Sequence, residues 1–223
     1  MKSETQTVPQ SKQDSILNEM ARVVQEGKHK KEARDLTIFL ALLGTAIAGR
    51  VALQWVPSVE PIIPFAVLAG LLFGMKEGFM LGGSAYIISN FLVWGLQGPW
   101  TVFQAIGAAV PGAVAGVYGK VRQASVLELI GLSVLGTVFF EIMVNIGGAL
   151  TIPGAFGVGI AVLPLYFLTS LPFSFIHTIS NIGFAGMLHP LLKWRKGNEF
   201  QIVSARRSAR GESRDVRVYR SKL

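Results

Sequence analysis

The sequence predicts an all-α membrane protein, a bundle of six transmembrane helices with both termini in the cytoplasm. Composition, the placement of charge and the spacing of apolar runs carry that expectation. Hydrophobic residues make up 51% of the chain and charged residues 15%, with a mean hydropathy of +0.48, values outside the range of ordinary soluble domains. Residues 1–35 hold seven Lys/Arg and six Asp/Glu, residues 36–192 hold four of each, and residues 193–223 hold ten and three. The net charge of +8 therefore describes mainly a tail. Beside an apolar core, a basic tail reads as a cytoplasmic flank near anionic lipid, not a nucleic-acid surface. Three segments follow: a cytoplasmic N-terminal segment, 1–35, a membrane domain, 36–192, and a basic cytoplasmic tail, 193–223.

Residues 1–14 are polar and read as disordered. Ile16, Leu17, Met20, Val23 and Val24 then share one side of a possible amphipathic helix, followed by Lys28, Lys30, Lys31 and Arg34, a pattern suited to the inner membrane surface or to a soluble helix. No apolar signal-peptide core precedes them, so no cleavable leader is expected.

The first apolar run, Leu36 to Val56, has two faces. At about 100° per residue, Ala41, Thr45, Ala48 and Ala52 form a narrow small-residue stripe, while Arg50 and Gln54 lie opposite. Small residues favour close helix contact in lipid; an intramembrane cation needs a partner, a cavity or a ligand. The remaining spans fall at 61–75, 78–95, 102–119, 126–150 and 171–192, since about 20 apolar residues cross a bilayer and 17 to 25 are tolerated. The second is short and begins among Pro57, Pro61 and Pro64, as a tilted helix or one starting inside a vestibule would. Lys76, Lys120 and Arg122 occupy alternate connections, and the other three connections lack Lys and Arg. The positive-inside rule then puts both termini in the cytoplasm and requires an even number of spans. Residues 155–170, rich in Gly, preceded by Pro153 and containing Pro164, are accordingly read as an outer cap or re-entrant piece packed on the bundle.

Depth organises the polar side chains. From the outer end of each span, Arg50 lies about 9 Å in, Glu141 about 13 Å, Asn145 about 7 Å, and His177 and Asn181 about 9 and 15 Å. Asn90, Gln54 and Gln104 are shallower. Glu141 with Asn145, His177 with Asn181, Arg50 with Gln54 and Asn90 with Trp94 are i,i+4 pairs, each able to present one face to a common interior. All lie in the outer half, which suggests an outward-facing cup; a continuous ion path would need polar groups on the inner side as well. The competing arrangement is an Arg50–Glu141 ion pair with the amides acting as interhelical glue. Trp94, Gln97, Gly98, Pro99, Trp100 and Gln104 in the third connection suggest a rigid turn that lids the cup; tryptophan at this level also serves as a plain interfacial anchor.

Cysteine is absent, which removes disulfides, thiolate chemistry and Cys-ligated metal. No HExxH, paired Asp or P-loop occurs. A nucleophile beside a base is not evident either, so neither catalytic nor metal-binding residues are assigned.

Arg50 after the small-residue stripe, VEPIIPFAVLAGLLFG at 59–74, NFLVWGLQGPWTVFQ at 90–104 and LPFSFIHTISN at 171–181 together resemble the substrate-binding S components of energy-coupling factor (ECF) transporters, prokaryotic vitamin importers. They look most like the branch associated with cobalamin. The resemblance implies a six-helix bundle in a prokaryotic cell membrane that captures a vitamin-like molecule, with a cobalamin or corrinoid favoured, on the outer side. It further implies delivery by association with a transmembrane coupling subunit and two cytoplasmic ATPases, which use the ATP; this chain itself would hold no cofactor. The family's Ala-xxx-Ala docking motif maps onto Ala48 and Ala52, with Ala41, Gly44 and Thr45 adjoining. Arg50, Gln54, Asn90, Trp94, Gln97, Trp100, Gln104, Glu141, Asn145, His177 and Asn181 are the expected substrate-binding residues. Ser174 stands where relatives often carry an acid. A self-contained secondary transporter and an intramembrane enzyme are the other readings; uptake driven by an ion gradient, or turnover by the isolated chain, distinguishes them.

Overall fold

Helix after helix runs through the computed structural model, which describes the backbone of residues 10–95, 98–151 and 155–209 and most side chains between 18 and 194. In chain order the elements are α1 (Gln10–Leu53), α2 (Ile62–Phe73), α3 (Met75–Trp94), α4 (Trp100–Val121), α5 (Val126–Thr151) and α6 (Ala155–Ala209), with no strand among the described residues. Four helical stretches are long and apolar enough to cross a membrane: Asn18–Leu53, Trp100–Val121, Val126–Thr151 and Ala161–Trp194. Their number and apolar length define a multi-pass membrane protein.

The chain divides into two compact units, Met1–Leu42 and Leu43–Leu223. The first consists of the N-terminal part of α1. Its surface carries local ion pairs, Arg22 to Glu26 at 3.2 Å and Lys28 to Glu32 at 3.9 Å, beside exposed Met20, Val23 and Val24. The helix begins at Gln10 and passes through residue 35 without a break, so residues 10–14 are helical where disorder was expected; residues 1–9 lie outside the described ones.

In the second unit α2 occupies the centre. Nine of its residues, Ile62 through Gly70, are buried, and it packs against α3, α4, α5 and α6. Twelve residues span only about 18 Å, too short to cross hydrocarbon alone, and burial in the bundle satisfies a helix that is apolar all round. A single residue, Gly74, separates α2 from α3. Its φ of 123° lies where a side chain is strained, so glycine makes so short a connection possible.

Small residues set the spacing of α2, α3 and α4. A Cβ on Gly112 would strike the carbonyls of Gly78 and Ala66, and one on Gly82 would strike that of Ala108. Gly78-xxx-Gly82 therefore lies against Ala108-xxx-Gly112-xxx-Gly116, the small-xxx-small contact that lets helices approach in lipid. The outward surfaces are the reverse, with Phe91, Leu92, Leu135, Leu168, Phe175 and Met187 all exposed, as suits lipid-facing positions.

Residues 155–170 form no separate cap. They are the start of α6, which continues for 55 residues through Pro164, Pro172 and Pro190. Each proline removes one backbone hydrogen bond, whereas unwinding the segment in an apolar setting would leave many groups unpaired. The helix is the smaller loss. The first part of the basic tail, 193–209, continues the same helix; residues 210–223 lie outside the described ones.

Candidate functional site

The last turns of α1 bear out two faces on one helix. Ala46 and Arg50 are buried, whereas Gly44, Thr45, Ala48 and Ala52 are exposed, as is Ala41 further up. Gly49 sits against Pro61, so the chain leaving α1 can fold back closely. The turn that follows carries Ser58 at φ 60°, an uncommon conformation for a residue with a side chain, and ends at Pro61 before α2. It places Glu60 beside Arg50.

Three helices, α1, α3 and α6, meet at that carboxylate. Arg50 donates from Nε to Glu60 Oε2 at 2.6 Å, and its Nη1 donates to Ser89 Oγ at 2.7 Å and Asn90 Oδ1 at 2.6 Å. The guanidinium carbon lies 4.7 Å from the Tyr86 ring centre, within cation–π range. Tyr86 donates its hydroxyl to Glu60 Oε1, and His177 Nε2 stands 3.6 Å from the same oxygen. On its other side His177 Nδ1 meets Glu141 Oε1 at 2.7 Å; because a carboxylate only accepts, Nδ1 is the donor. Ser174 donates to Glu141 Oε2 at 2.7 Å, so the serine standing where an acid was expected serves the acid on α5. Phe140 backs the group, stacked on Tyr86 at 4.9 Å and edge-on to His177 at 5.4 Å.

This network walls a cavity of about 610 Å³, lined by Arg50, Ser58, Glu60, Trp100, Gln104, Phe140, Glu141, Val144, Asn145, Gly148, Tyr166, Ser170, Phe173 and His177. The volume lies within the range of small-molecule sites. Tyr166 fits because Gly148 has no side chain: a Cβ there would lie 2.9 Å from the ring. Trp100 is fixed by its indole N–H, which reaches the Val144 carbonyl at 3.3 Å.

Six of the expected site residues line this cavity: Arg50, Trp100, Gln104, Glu141, Asn145 and His177. Asn90 does not line it. It stands behind Arg50, accepting from its Nη1 and donating to Gln104 Oε1 at 2.6 Å and Thr101 Oγ1 at 3.3 Å, and so orients Arg50 and Gln104 of the wall. Asn181 is also behind it, donating to Thr137 Oγ1 at 2.8 Å between α6 and α5, which is the interhelical role weighed for the amides. Gln54 lies beyond the end of α1 and lines a second cavity of about 190 Å³, which shares Arg50, Ser58 and Glu60 with the first. Gln97 and the side chain of Trp94 lie outside the described residues. The Arg50–Glu141 ion pair does not form, because Glu60 takes the arginine and His177 takes Glu141.

The sequence reading missed Glu60, Tyr86 and Tyr166. Depth along helices ranked only residues inside spans, and Glu60 is in a turn. The available signal was a lone acid between Pro57 and Pro61, in a connection with no basic residue. Tyr166 was missed because its segment was read as a cap.

The described residues contain no group of three or more His, Cys, Asp or Glu able to hold a metal. Fold and site define a multi-pass membrane protein with a polar and aromatic cavity lined by the Arg50–Glu60 ion pair and the hydrogen-bonded His177 and Glu141. No protein-family model, curated protein or solved structure matches the chain.

Proposed function

We propose that the chain is the substrate-binding component of an ECF-type importer, with α1 to α6 as its six membrane helices and both termini in the cytoplasm. It captures a vitamin-like small molecule in the cavity from the outer side, and a coupling subunit with two ATPases drives delivery. The observation that carries this reading is the cavity of about 610 Å³ between the Arg50–Glu60 and His177–Glu141 pairs. Aromatic side chains from three helices stand with polar groups from four helices and the turn after α1 there, as a site needs when it must both enclose a ligand and orient it. An intramembrane ionisable cluster is costly to maintain without such a role. The exposed stripe Gly44, Thr45, Ala48 and Ala52 supports the partner side of the proposal, since it leaves α1 smooth where another helix is to cross. A corrinoid, which the sequence resemblance favours, would fill the cavity and extend through its mouth. The chain performs no chemistry on the ligand in this reading.

Equilibrium titration of the purified protein with a set of vitamins that includes a corrinoid tests the proposal. One of them binds, and Arg50→Ala and His177→Ala each weaken it at least tenfold. Unchanged affinity in both variants rejects the site.

A further inference from the structure

The wall of the cavity is unequal in charge. One guanidinium, Arg50, faces two carboxylates, Glu60 and Glu141. His177 lies between the two carboxylates, its Nδ1 bonded to Glu141 Oε1 and its Nε2 buried 3.6 Å from Glu60 Oε1 without a hydrogen-bond partner, in a side chain that is 2% exposed. Arg50 is the one permanent cation lining the cavity against two carboxylates.

The charges are also unequally presented. Glu60 and Glu141 are 15% and 17% exposed, their partners Arg50 and His177 only 10% and 2%. Arg50 has further been drawn away by Ser89 and Asn90 and lies over Tyr86. What the cavity offers a ligand is therefore carboxylate oxygen more than guanidinium. Around it stand Trp100, Phe140, Tyr166 and Phe173, whose ring faces attract cations.

We infer that the captured molecule carries a positively charged nitrogen, an ammonium, amidinium or protonated ring nitrogen, which binds at Glu141 and Glu60 with its apolar part against the aromatic wall. The inference rests on the proposed capture role of the cavity and favours a cationic ligand over the corrinoid that the sequence resemblance suggests. A shielded carboxylate such as Glu141, with no arginine or lysine beside it, is expensive; the ligand's charge offsets that cost and supplies a charge-assisted hydrogen bond. An anion meets the same wall with repulsion.

Three probes of one size decide it: benzylammonium, benzyl alcohol and benzoate, titrated against the full-length protein in a neutral maltoside detergent and followed by saturation-transfer NMR. A Ser170→Trp variant, which fills the cavity, separates cavity binding from detergent partition. Benzylammonium is expected to bind at least tenfold more tightly than benzoate, to lose its signal in Ser170→Trp, and to lose most of its advantage over benzoate in Glu141→Gln. Cavity binding in which benzoate equals or exceeds benzylammonium overturns the charge inference and leaves the capture role standing. If no probe responds to Ser170→Trp, the cavity is not the binding site and both readings fall. The wild-type order of affinities decides the matter even should Glu141→Gln fail to fold.

Discussion

Arg50 and Glu60 lie ten residues apart and meet at 2.6 Å, one at the end of a membrane helix and the other in the turn that follows it. The pair is mostly shielded, with side chains 10% and 15% exposed. Removing one partner of such a pair leaves a buried charge and costs roughly 3–5 kcal/mol. Arg50→Ala is therefore expected to lower the unfolding midpoint in detergent sharply, and Arg50→Ala with Glu60→Gln to recover part of the loss. A double variant no more stable than the single one would show that Glu60 carries no stranded charge.

Gly112 should tolerate nothing larger. Its Cβ would enter the backbone of α3 and α2, so Gly112→Leu is expected to exceed the roughly 1–3 kcal/mol of ordinary overpacking and abolish the monodisperse peak in size-exclusion chromatography. Gly131, on the exposed side of α5 with no atom within 4 Å of its would-be Cβ, is the control; Gly131→Leu should elute like wild type.

Asn181 separates structural glue from the ligand wall. Its amide holds Thr137 at 2.8 Å across α5 and α6 without lining the cavity. Asn181→Ala is expected to cost about 1–3 kcal/mol, the penalty for stranding a buried polar partner, with ligand affinity changed less than threefold. A tenfold loss of affinity at unchanged stability would move Asn181 into the site.

Ala48 bears on the partner. Ala48→Leu adds bulk to an exposed face and leaves the cavity untouched, so co-purification with the proposed coupling subunit should fall several-fold while ligand binding persists. Full recovery of the complex would count against docking on this stripe.

Much of the architecture was legible because apolar runs and membrane helices obey the same length rule. All six expected segments lie within helices or overlap them closely, and the turn after α1 lies where Pro57 and Pro61 indicated. The start of α6 was not legible. Proline and glycine usually break helices in water, but an apolar environment raises the cost of every unpaired backbone group and keeps the helix intact through Pro164 and Pro172. The site was legible in its helical part for the same reason that it is periodic: Glu141 and His177 were brought level by counting residues from the span ends. Counting could not supply pairing. Which acid takes Arg50 depends on a turn whose path is set by Ser58 and by the missing side chain of Gly49.

The length of α6 has a consequence for the membrane itself. The part of the helix whose side chains are described, Ala161–Trp194, has 34 residues and measures about 51 Å along the axis, against about 30 Å of hydrocarbon. At any tilt within the 0–40° found for membrane helices, some of its turns lie beyond the hydrocarbon, among the headgroups or in water. Which turns do so depends on acyl-chain length, and Tyr166, Ser170 and His177 all ride on this helix. The depth at which the cavity wall sits is thereby tied to the thickness of the bilayer around it.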